Sequence, residues 1–539
     1  MDAPWISELL RVSAGFAFWW LALALLLPVF GLKIPSFWPL FRGIGKVLYK
    51  ISWLLGKAFI LIIQPPQKKP AKLLSRFEQW LTFHRGSEGF IIDGVGKRLS
   101  RTATEKHVLI SGSSGTGKSA SFFLPQLLNI SDKMSWVVFD PKDEMIEGVS
   151  GFLLSRKITV LRLHSRDPSV SIRFNPLARA IKKGDMAIRK MANILCDSNN
   201  KGDTFWEDGA KSLIFLLASA LKYQPARYHT LPVLRQLINS AGNRDAISSL
   251  IYQTGDANLI SELEGLFTGM DPKTVAGWIS NAKVATEFCA SNDICRIISD
   301  DTLDISSFRH QPPQCLFLNI SHRDQEVWRP VLTLLLQEFI DDLTADPSIE
   351  SDSSLNTVML LLDELGLFKG LKTLPQEIAI ARAYRISFAM AVQSKAQLTA
   401  SFGREGADII QENVDTELIF GGGKQVAELR ALSDRLGPTE TKKNGKTLSK
   451  PLLSVSDLRQ TPRHHVTVIH GDKAPFIQKL SYYKNNWTLN RRSKMPPGQS
   501  PLPPILKDIP RLDLNNLELE PEIENLADYL EDLAEVPQV

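Results

Sequence analysis

Cysteine is scarce in this sequence, and the spacing of the few cysteines excludes two classes of protein. Cys196, Cys289, Cys295 and Cys315 are the only cysteines among 539 residues, and no two of them form a Cys-x-x-Cys pair. Disulfide-stapled secreted domains and zinc modules need closely spaced cysteines or clusters of cysteine with histidine. The sequence therefore predicts buried free thiols in a reducing compartment.

Lysine and arginine are absent from the end of the chain. Nine Asp or Glu residues follow Arg511, so removing those nine negative charges from the total of +5 leaves about +14 on residues 1–511. A basic body of this kind favours an anionic partner, either nucleic acid or a membrane surface. The acidic tail places four apolar residues on one helical face, which fits either a solvated tail or a helix that docks on a partner: Leu526, Tyr529, Leu530 and Leu533.

Charge is also absent from residues 12–32. This apolar stretch has 21 residues, which at about 1.5 Å per helical residue is enough to cross the roughly 30 Å hydrocarbon core of a bilayer. A cleavable signal peptide would begin with basic residues and end at a small-residue cleavage site. Here Asp2 and Glu8 precede the stretch and Lys33 follows it. We therefore expect one clear transmembrane helix, retained as an anchor.

A second apolar run, within residues 48–63, leaves the membrane topology open. Its core from Ile51 to Ile63 has 13 residues and contains Lys57, so it fits either a second span or a helix in the headgroup region. The stretch between the two runs is basic, and such stretches stay on the cytoplasmic side. Residues 1–70 are therefore predicted to form the membrane anchor.

A glycine-rich loop at residues 112–119 is the strongest chemical signal in the sequence. It follows the apolar run 108–110 and precedes residues that can start a helix, as the motif Gly-x-x-x-x-Gly-Lys-Ser/Thr requires. The backbone N–H groups of such a loop surround phosphate oxygens at the positive end of the helix. Lys118 is expected to bridge the β- and γ-phosphates of ATP, and the Ser119 hydroxyl to bind Mg²⁺. The predicted nucleotide-binding residues are Gly112, Ser113, Ser114, Gly115, Thr116, Gly117, Lys118 and Ser119.

A second signal for the same site is the apolar run 357–362, which is directly followed by Asp363 and Glu364. In a P-loop ATPase, an acid at the end of a buried strand holds Mg²⁺, and a neighbouring carboxylate polarises the attacking water. We assign the first role to Asp363 and the second to Glu364. Because ATP is cytoplasmic, we expect the whole site to face the cytoplasm.

Two further positions near the strand 386–392 are candidates for the site. Gln393 follows that strand, where it fits either a sensor of the γ-phosphate or an ordinary strand-end turn. Arg382 and Arg385 precede it, and each fits either a surface cation or an arginine finger that completes a neighbouring subunit's site.

The pattern of apolar runs predicts an α/β fold. Short runs typical of buried strands occur at 136–140, 315–320, 357–362, 386–392, 417–420 and 466–469, and a small hairpin is expected at 89–99. Helical spacing dominates residues 183–307, which we interpret as an inserted all-α domain. The nucleotide-binding domain is then residues 75–182 and 308–490, followed by a Pro-rich linker and the acidic tail at 491–539.

Several further motifs recur in a fixed order along the chain. They are Asp140-Pro141-Lys142-Asp143-Glu144, Phe174-Asn175-Pro176-Leu177, Phe205-Trp206, Asp363-Glu364-Leu365-Gly366, Ala381-Arg382-Ala383-Tyr384-Arg385-Ile386, Gln393-Ser394-Lys395-Ala396-Gln397-Leu398, and Lys450-Pro451-Leu452-Leu453 through Ser481-Tyr482-Tyr483. From roughly residue 85 to 485 the sequence resembles the type IV coupling proteins, the TraG/TraD-like membrane ATPases of conjugation and type IV secretion.

The resemblance implies a RecA-like motor core, an inserted all-α domain, an N-terminal anchor in the bacterial inner membrane and a homo-hexameric ring. It also implies a task, which is to recruit relaxase-bound single-stranded DNA with its accessory proteins to the secretion channel and to drive transfer with ATP. Carried over residue by residue, it gives Lys118, Asp363 and Glu364 their expected roles. It makes Arg382 the finger and Gln393 the γ-phosphate sensor.

Two departures from the family pattern stand out. The family often has Gly where Asp143 stands, and it usually shows two clear membrane spans where this sequence shows one. Two other functions stay open at this point. One is an ATPase that carries only protein effectors, and the other is a membrane receptor that uses nucleotide as a structural ligand, which the intact Lys118, Asp363 and Glu364 disfavour.

Overall fold

The computed structural model describes residues 71–83, 88–113, 115–196, 204–345, 352, 354–368, 372–421, 426–443, 446–462, 464–505 and 508–514. The predicted membrane anchor, Ser114 and the apolar face of the acidic tail lie outside these residues. Within the described part of the chain, no helix is both long enough and apolar enough to cross a bilayer.

A nine-stranded sheet forms the centre of the fold. Its spatial order is β11-β10-β7-β1-β6-β5-β2-β4-β3. The strands from β3 to β7 in this order are parallel, and β10 and β11 are added antiparallel at one edge. The strands are β1 (Val108–Ser111), β2 (Met134–Phe139), β3 (Thr159–His164), β4 (Gln314–Asn319), β5 (Thr357–Leu362), β6 (Ile386–Val392), β7 (Thr416–Phe420), β10 (His465–His470) and β11 (Phe476–Lys479), with a separate hairpin of β8 (Pro438–Lys443) and β9 (Lys446–Pro451).

The helices pack on both faces of the sheet. In chain order they are α1 (Arg76–Thr82), α2 (Arg101–Thr104), α3 (Leu124–Leu128), α4 (Glu144–Ser155), α5 (Pro176–Lys183), α6 (Asp185–Cys196), α7 (Thr204–Leu221), α8 (Leu231–Ser240), α9 (Arg244–Gln253), α10 (Ala257–Phe267), α11 (Pro272–Ala285), α12 (Asn292–Ile298), α13 (Gln325–Thr344), α14 (Leu374–Ala381), α15 (Lys395–Glu412), α16 (Val426–Leu436), α17 (Val455–Arg459) and α18 (Trp487–Arg492). Between β3 and β4, the described residues contain helices α5–α12 and short 3₁₀ turns, and no strand.

The central strands are buried on both faces, as their continuous apolar runs predict. Every residue of β2, β5 and β6 is buried. Alternate side chains enter two different cores: Leu109 joins the core that is continuous with α5–α12, whereas Val108 and Ile110 join the core under α3 and α4. The predicted α/β fold with a parallel sheet is therefore confirmed, and the four cysteines are buried and free as expected.

The Pro-rich stretch that follows α18 lies along the body of the protein. The Ser500 backbone N–H donates to the Val160 carbonyl at 2.8 Å, and the Val160 N–H donates to the Ser500 hydroxyl at 3.0 Å, so Ser500 lies against the edge strand β3. Further along, Leu512 is 3% exposed and exchanges two hydrogen bonds with the Gln236 side chain of α8. This stretch therefore links the sheet edge to the helical region.

Candidate nucleotide-binding site

The glycine-rich loop begins where β1 ends, at the centre of the sheet. The Gly112 N–H donates to the carbonyl of Val392, the last residue of the neighbouring β6, at 3.2 Å. Gly115 and Gly117 have φ angles of +78° and +92°, which residues with a Cβ rarely adopt. A Cβ on Gly117 would also lie 3.3 Å from the His464 ring. The loop therefore needs glycine at both positions, and it can expose successive N–H groups as a phosphate cradle does.

Two side chains of the loop, Thr116 and Lys118, are held by carbonyls of the loop itself. The Thr116 hydroxyl donates to the Ser113 carbonyl at 2.8 Å, and the Lys118 ammonium donates to the Gly112 and Ser113 carbonyls at 2.7 and 3.4 Å. Burial lowers the pKa of Lys118, and the charges of Asp363 and Glu364 oppose this shift. Lys118 therefore lies over the mouth of the loop, where an anionic phosphate would compete with the two carbonyls for its charge.

The helix after the loop starts with a π-helical turn, Ser119–Phe123, and continues as α3. Its N-terminal turn presents N–H groups that lack partners within the helix, and these are suited to an anion. His464, which follows β9 and α17 in the chain, fixes this turn because its Nδ1 lies 2.9 Å from the Ser121 hydroxyl. Sequence reasoning missed His464, since it lies 343 residues from Ser121 and belongs to no recognised motif.

Ser119 and Asp363, the two predicted Mg²⁺ ligands, are in direct contact. The Ser119 hydroxyl donates to Asp363 Oδ2 at 2.8 Å. Burial raises the pKa of Asp363 to about 6, and the Ser119 hydrogen bond and the Lys118 charge oppose that rise. Hydroxyl and carboxylate oxygens are the donors that Mg²⁺ prefers, with waters and substrate phosphates completing its shell. The residues present therefore fit a Mg²⁺–nucleotide complex.

Glu364 lies beside Asp363, and a glutamine that the sequence reasoning did not single out holds it. The Gln397 amide donates to Glu364 Oε1 at 2.9 Å, while its carbonyl oxygen accepts the Gln393 backbone N–H at 2.7 Å. Gln393 itself is exposed at the end of β6. The signal was available in the motif Gln393–Leu398, where the second glutamine falls one helical turn after the first, but only the fold shows which of them reaches Glu364.

Arg382 lies far from the loop of its own chain. It opens the 3₁₀ turn Arg382–Tyr384 just before β6, whereas the loop lies at the other end of that strand. Seven residues of strand separate the two, or roughly 20 Å. The buried Arg309 holds this turn in place, because its guanidinium donates to the Tyr384 and Arg385 carbonyls. The structure therefore brings Lys118, Ser119, Asp363 and Glu364 together and leaves Arg382 outside this group.

A buried histidine lies beneath the Arg382 turn. The His107 Nε2 is 2.8 Å from the Ile378 carbonyl of α14, and its Nδ1 accepts the Phe388 N–H of β6 at 3.2 Å. Burial lowers the pKa of His107 to about 4, and the nearby Arg382 charge contributes in the same direction. The neutral imidazole therefore joins the strand to the helix that immediately precedes Arg382.

The motif that starts at Asp140 leads into the N-terminus of α4. Asp140 Oδ2 accepts the N–H groups of Met145 and Ile146, each at 2.9 Å, while burial raises its pKa to about 7. Asp143 has φ +60°, the left-handed conformation that favours glycine, and it pairs with Arg162 at 3.0 Å. Glycine adopts this conformation freely, and the ion pair with Arg162 is what aspartate adds at this position.

Comparison with known proteins relates most of this chain to a described family. The family model described as "Type IV secretory system Conjugative DNA transfer" matches residues 75–486. The protein VirD4 of Rhizobium radiobacter is 22% identical over 460 residues, which cover 80% of this chain and 64% of that protein. The conjugal transfer protein TraG of the same organism is 23% identical over 318 residues, or 56% of this chain and 47% of TraG. The chain thus spans less than two thirds of the length of these relatives.

Solved structures of the conjugative coupling protein TrwB share the fold. One, in complex with sulphate, superposes with a TM-score of 0.58 at 16% identity and covers 78% of this chain and 96% of its own. Others of the same protein contain ADP with Mg²⁺, or non-hydrolysable analogues of GTP and ATP. Since the family model matches most of the sequence, the chain belongs to the type IV secretory system conjugative DNA transfer family.

Proposed function

We propose that this chain is the membrane-anchored coupling ATPase of a conjugative system, which recruits relaxase-bound single-stranded DNA to a type IV secretion channel and drives its transfer. One observation carries the proposal: the Ser119 hydroxyl contacts the Asp363 carboxylate beside Lys118 and Glu364. A protein that used nucleotide only as a structural ligand would not need a carboxylate placed to polarise water. The family to which the chain belongs supports the role in transfer.

The chemistry at this site follows from the chain's own residues. The loop N–H groups and Lys118 bind the phosphates, and Ser119 and Asp363 hold Mg²⁺, which neutralises charge on the β- and γ-phosphates when bound. Glu364, held by Gln397, orients and polarises the attacking water. Gln393 supplies an exposed amide at the end of β6 that can report the presence of the γ-phosphate.

The place of Arg382 supports a ring of subunits. A guanidinium roughly 20 Å from the loop of its own chain acts in catalysis only when another subunit brings a loop to it. A closed ring, which we propose to be a homo-hexamer, supplies that arrangement, because each head-to-tail contact joins two different faces.

The charge of the chain supports a nucleic-acid cargo. The excess of about +14 on residues 1–511 is of the sign that binds phosphate backbones without reading sequence. The predicted anchor at residues 1–70 would hold the motor on the cytoplasmic side of the inner membrane. The acidic tail would then be left to contact accessory or channel proteins.

A Lys118→Ala substitution tests the proposal. We expect ATP hydrolysis and DNA transfer between cells to be lost, while membrane association and DNA binding stay at the parent level. Lys211→Ala is the matched control, because that lysine pairs with Asp208 in the helical region. Transfer at the parent rate by the Lys118→Ala protein would contradict the motor function.

A further inference from the structure

Helix α1 carries its large apolar side chains on the outside of the protein. Phe77 is 67% exposed, Trp80 68% and Leu81 52%, and Leu73, three residues before the helix, is 40% exposed. The Phe77 and Trp80 rings stack with their centroids 6.2 Å apart. Positions 77, 80 and 81 share one side of the helix by their spacing, and the exposed Leu73 stands just before its start. We call these four residues the α1 face.

The α1 face is exposed although the helix itself is firmly held. Ser75 and Glu78 form a reciprocal capping box at its start. On the inner side, the Lys97 ammonium donates to Gln79 Oε1 at 2.9 Å and to Gln478 Oε1 at 2.8 Å, which ties α1 to β11. The helix thus turns its polar side inward and its apolar side outward. This inversion of the usual pattern indicates a surface that something else covers.

The position of α1 in the chain identifies the occupant. It is the first described helix, and it begins six residues after the stretch predicted to form the membrane anchor. Leu73 lies only ten positions after Ile63, where the second apolar run ends, so the chain between them reaches at most about 35 Å. A membrane that holds the anchor is therefore within reach of the α1 face.

The chemistry of the face matches the headgroup region of a bilayer. Tryptophan is enriched at that depth, where its ring contacts acyl chains and its N–H contacts water and headgroups. Arg76 is exposed at the start of the helix. Lys72 is exposed before it and pairs with Glu78 at 2.9 Å, and Lys68 and Lys69 precede both in the sequence. Basic residues beside exposed aromatic rings are the composition of interfacial helices on anionic membranes.

We propose that the α1 face docks on the membrane surface, with Phe77 and Trp80 inserted among the headgroups of anionic lipids. This inference rests on the membrane anchoring included in the proposed function. The anchor tethers the motor domain to the membrane, and docking of the α1 face in addition holds that domain against the bilayer surface. A second copy of the chain is the alternative occupant, but four exposed apolar side chains are far fewer than the roughly 20–30 residues a side of a stable protein interface.

Photocrosslinking in the membrane tests the proposal with the full chain. p-Benzoylphenylalanine is placed at position 77 or 80, the cells are irradiated, and the purified chain is analysed by mass spectrometry for attached phospholipid. Positions 252 and 284 are the matched controls, because Tyr252 and Val284 are 53% and 67% exposed on helices of the α-helical region. We expect phospholipid adducts at 77 and 80 at least five times more abundant than at 252 and 284.

The outcomes separate this inference from the function on which it rests. If the chain sediments with membranes but positions 77 and 80 crosslink to a second copy, to another protein or to nothing, the membrane docking of α1 is refuted and the anchoring stands. If the chain does not sediment with membranes at all, both are refuted. Thermal denaturation of each labelled chain at the parent temperature verifies the fold, because these side chains make few contacts in the protein.

Discussion

Gln397 offers the sharpest perturbation of the catalytic geometry. Its amide joins Glu364 to the end of β6 through hydrogen bonds of 2.9 and 2.7 Å, and it does not belong to the phosphate loop. A Gln397→Ala substitution removes both bonds and leaves the loop, Ser119 and Asp363 unchanged. Glu364 then loses the contact that fixes its orientation toward the attacking water.

The size of the effect follows from the charge on the acceptor. A hydrogen bond to a charged group is worth about 1.5–3 kcal/mol, and Glu364 is partly exposed, which favours the lower half of that range. Each 1.36 kcal/mol is a factor of ten in rate, so we expect kcat to fall about 10- to 50-fold. The KM for ATP should stay within about twofold, because Gln397 touches the carboxylate and not the phosphate loop.

The assay is steady-state ATP hydrolysis by Gln397→Ala, Glu364→Gln and the double variant. Residues that act as a unit are not additive, so Gln397→Ala should cost less than about threefold in the Glu364→Gln background. Gln411→Ala is the matched control, since Gln411 is on the same helix and donates to the Ala407 carbonyl at 3.0 Å, within that helix. A raised KM with unchanged kcat, or full additivity in the double variant, would refute the positioning role.

Two other perturbations address the turn before β6. His107 has a pKa of about 4 in the fold, against about 6.5 when unfolded, so between these values the unfolded chain binds a proton that the folded chain does not. The contribution of His107 to the free energy of unfolding is therefore fully present above pH 6.5. It is lost as the pH drops toward 4, by up to about 3 kcal/mol. A His107→Gln chain, which keeps a donor and an acceptor, should lose less in denaturation temperature than the parent between pH 7.5 and 5, and an equal loss would contradict this account. Mixing Arg382→Ala with Glu364→Gln subunits should restore some ATPase activity that neither has alone, and no recovery from mixed assemblies would argue against a finger acting between subunits.

The strands that build the site could be predicted from the sequence because they are buried on both faces. The runs at β5 and β6 match the structure to the residue, since continuous apolar stretches have few other interpretations in an α/β fold. The strand β3 escaped prediction because it lies at the sheet edge and Arg162 and His164 interrupt its apolar pattern. Local sequence predicts central strands better than edge strands for this reason.

The residues of the site also divide into those that could be predicted from the sequence and those that could not. Lys118, Ser119 and Asp363 could be placed because each follows a strand whose end is fixed by its apolar pattern. Gln397 and His464 could not, because they reach the site by tertiary contact: one from the first turn of α15, the other from a segment after α17. His464 belongs to no recognised motif, and the motif that contains Gln397 does not show which of its two glutamines reaches Glu364, so only the packed fold reveals these contacts.

The most direct test of the central claim is the response of ATP hydrolysis to single-stranded DNA. The detergent-solubilised full chain is assayed with and without an oligonucleotide, beside the Lys118→Ala chain. A DNA-coupling motor should hydrolyse ATP at least several times faster when the strand is present, and the stimulation should weaken as salt is raised because phosphate contacts carry the binding. The Lys118→Ala chain should show no hydrolysis in either case. Hydrolysis by the parent chain that is indifferent to DNA at every salt concentration would contradict the claim and point to a motor that carries protein alone.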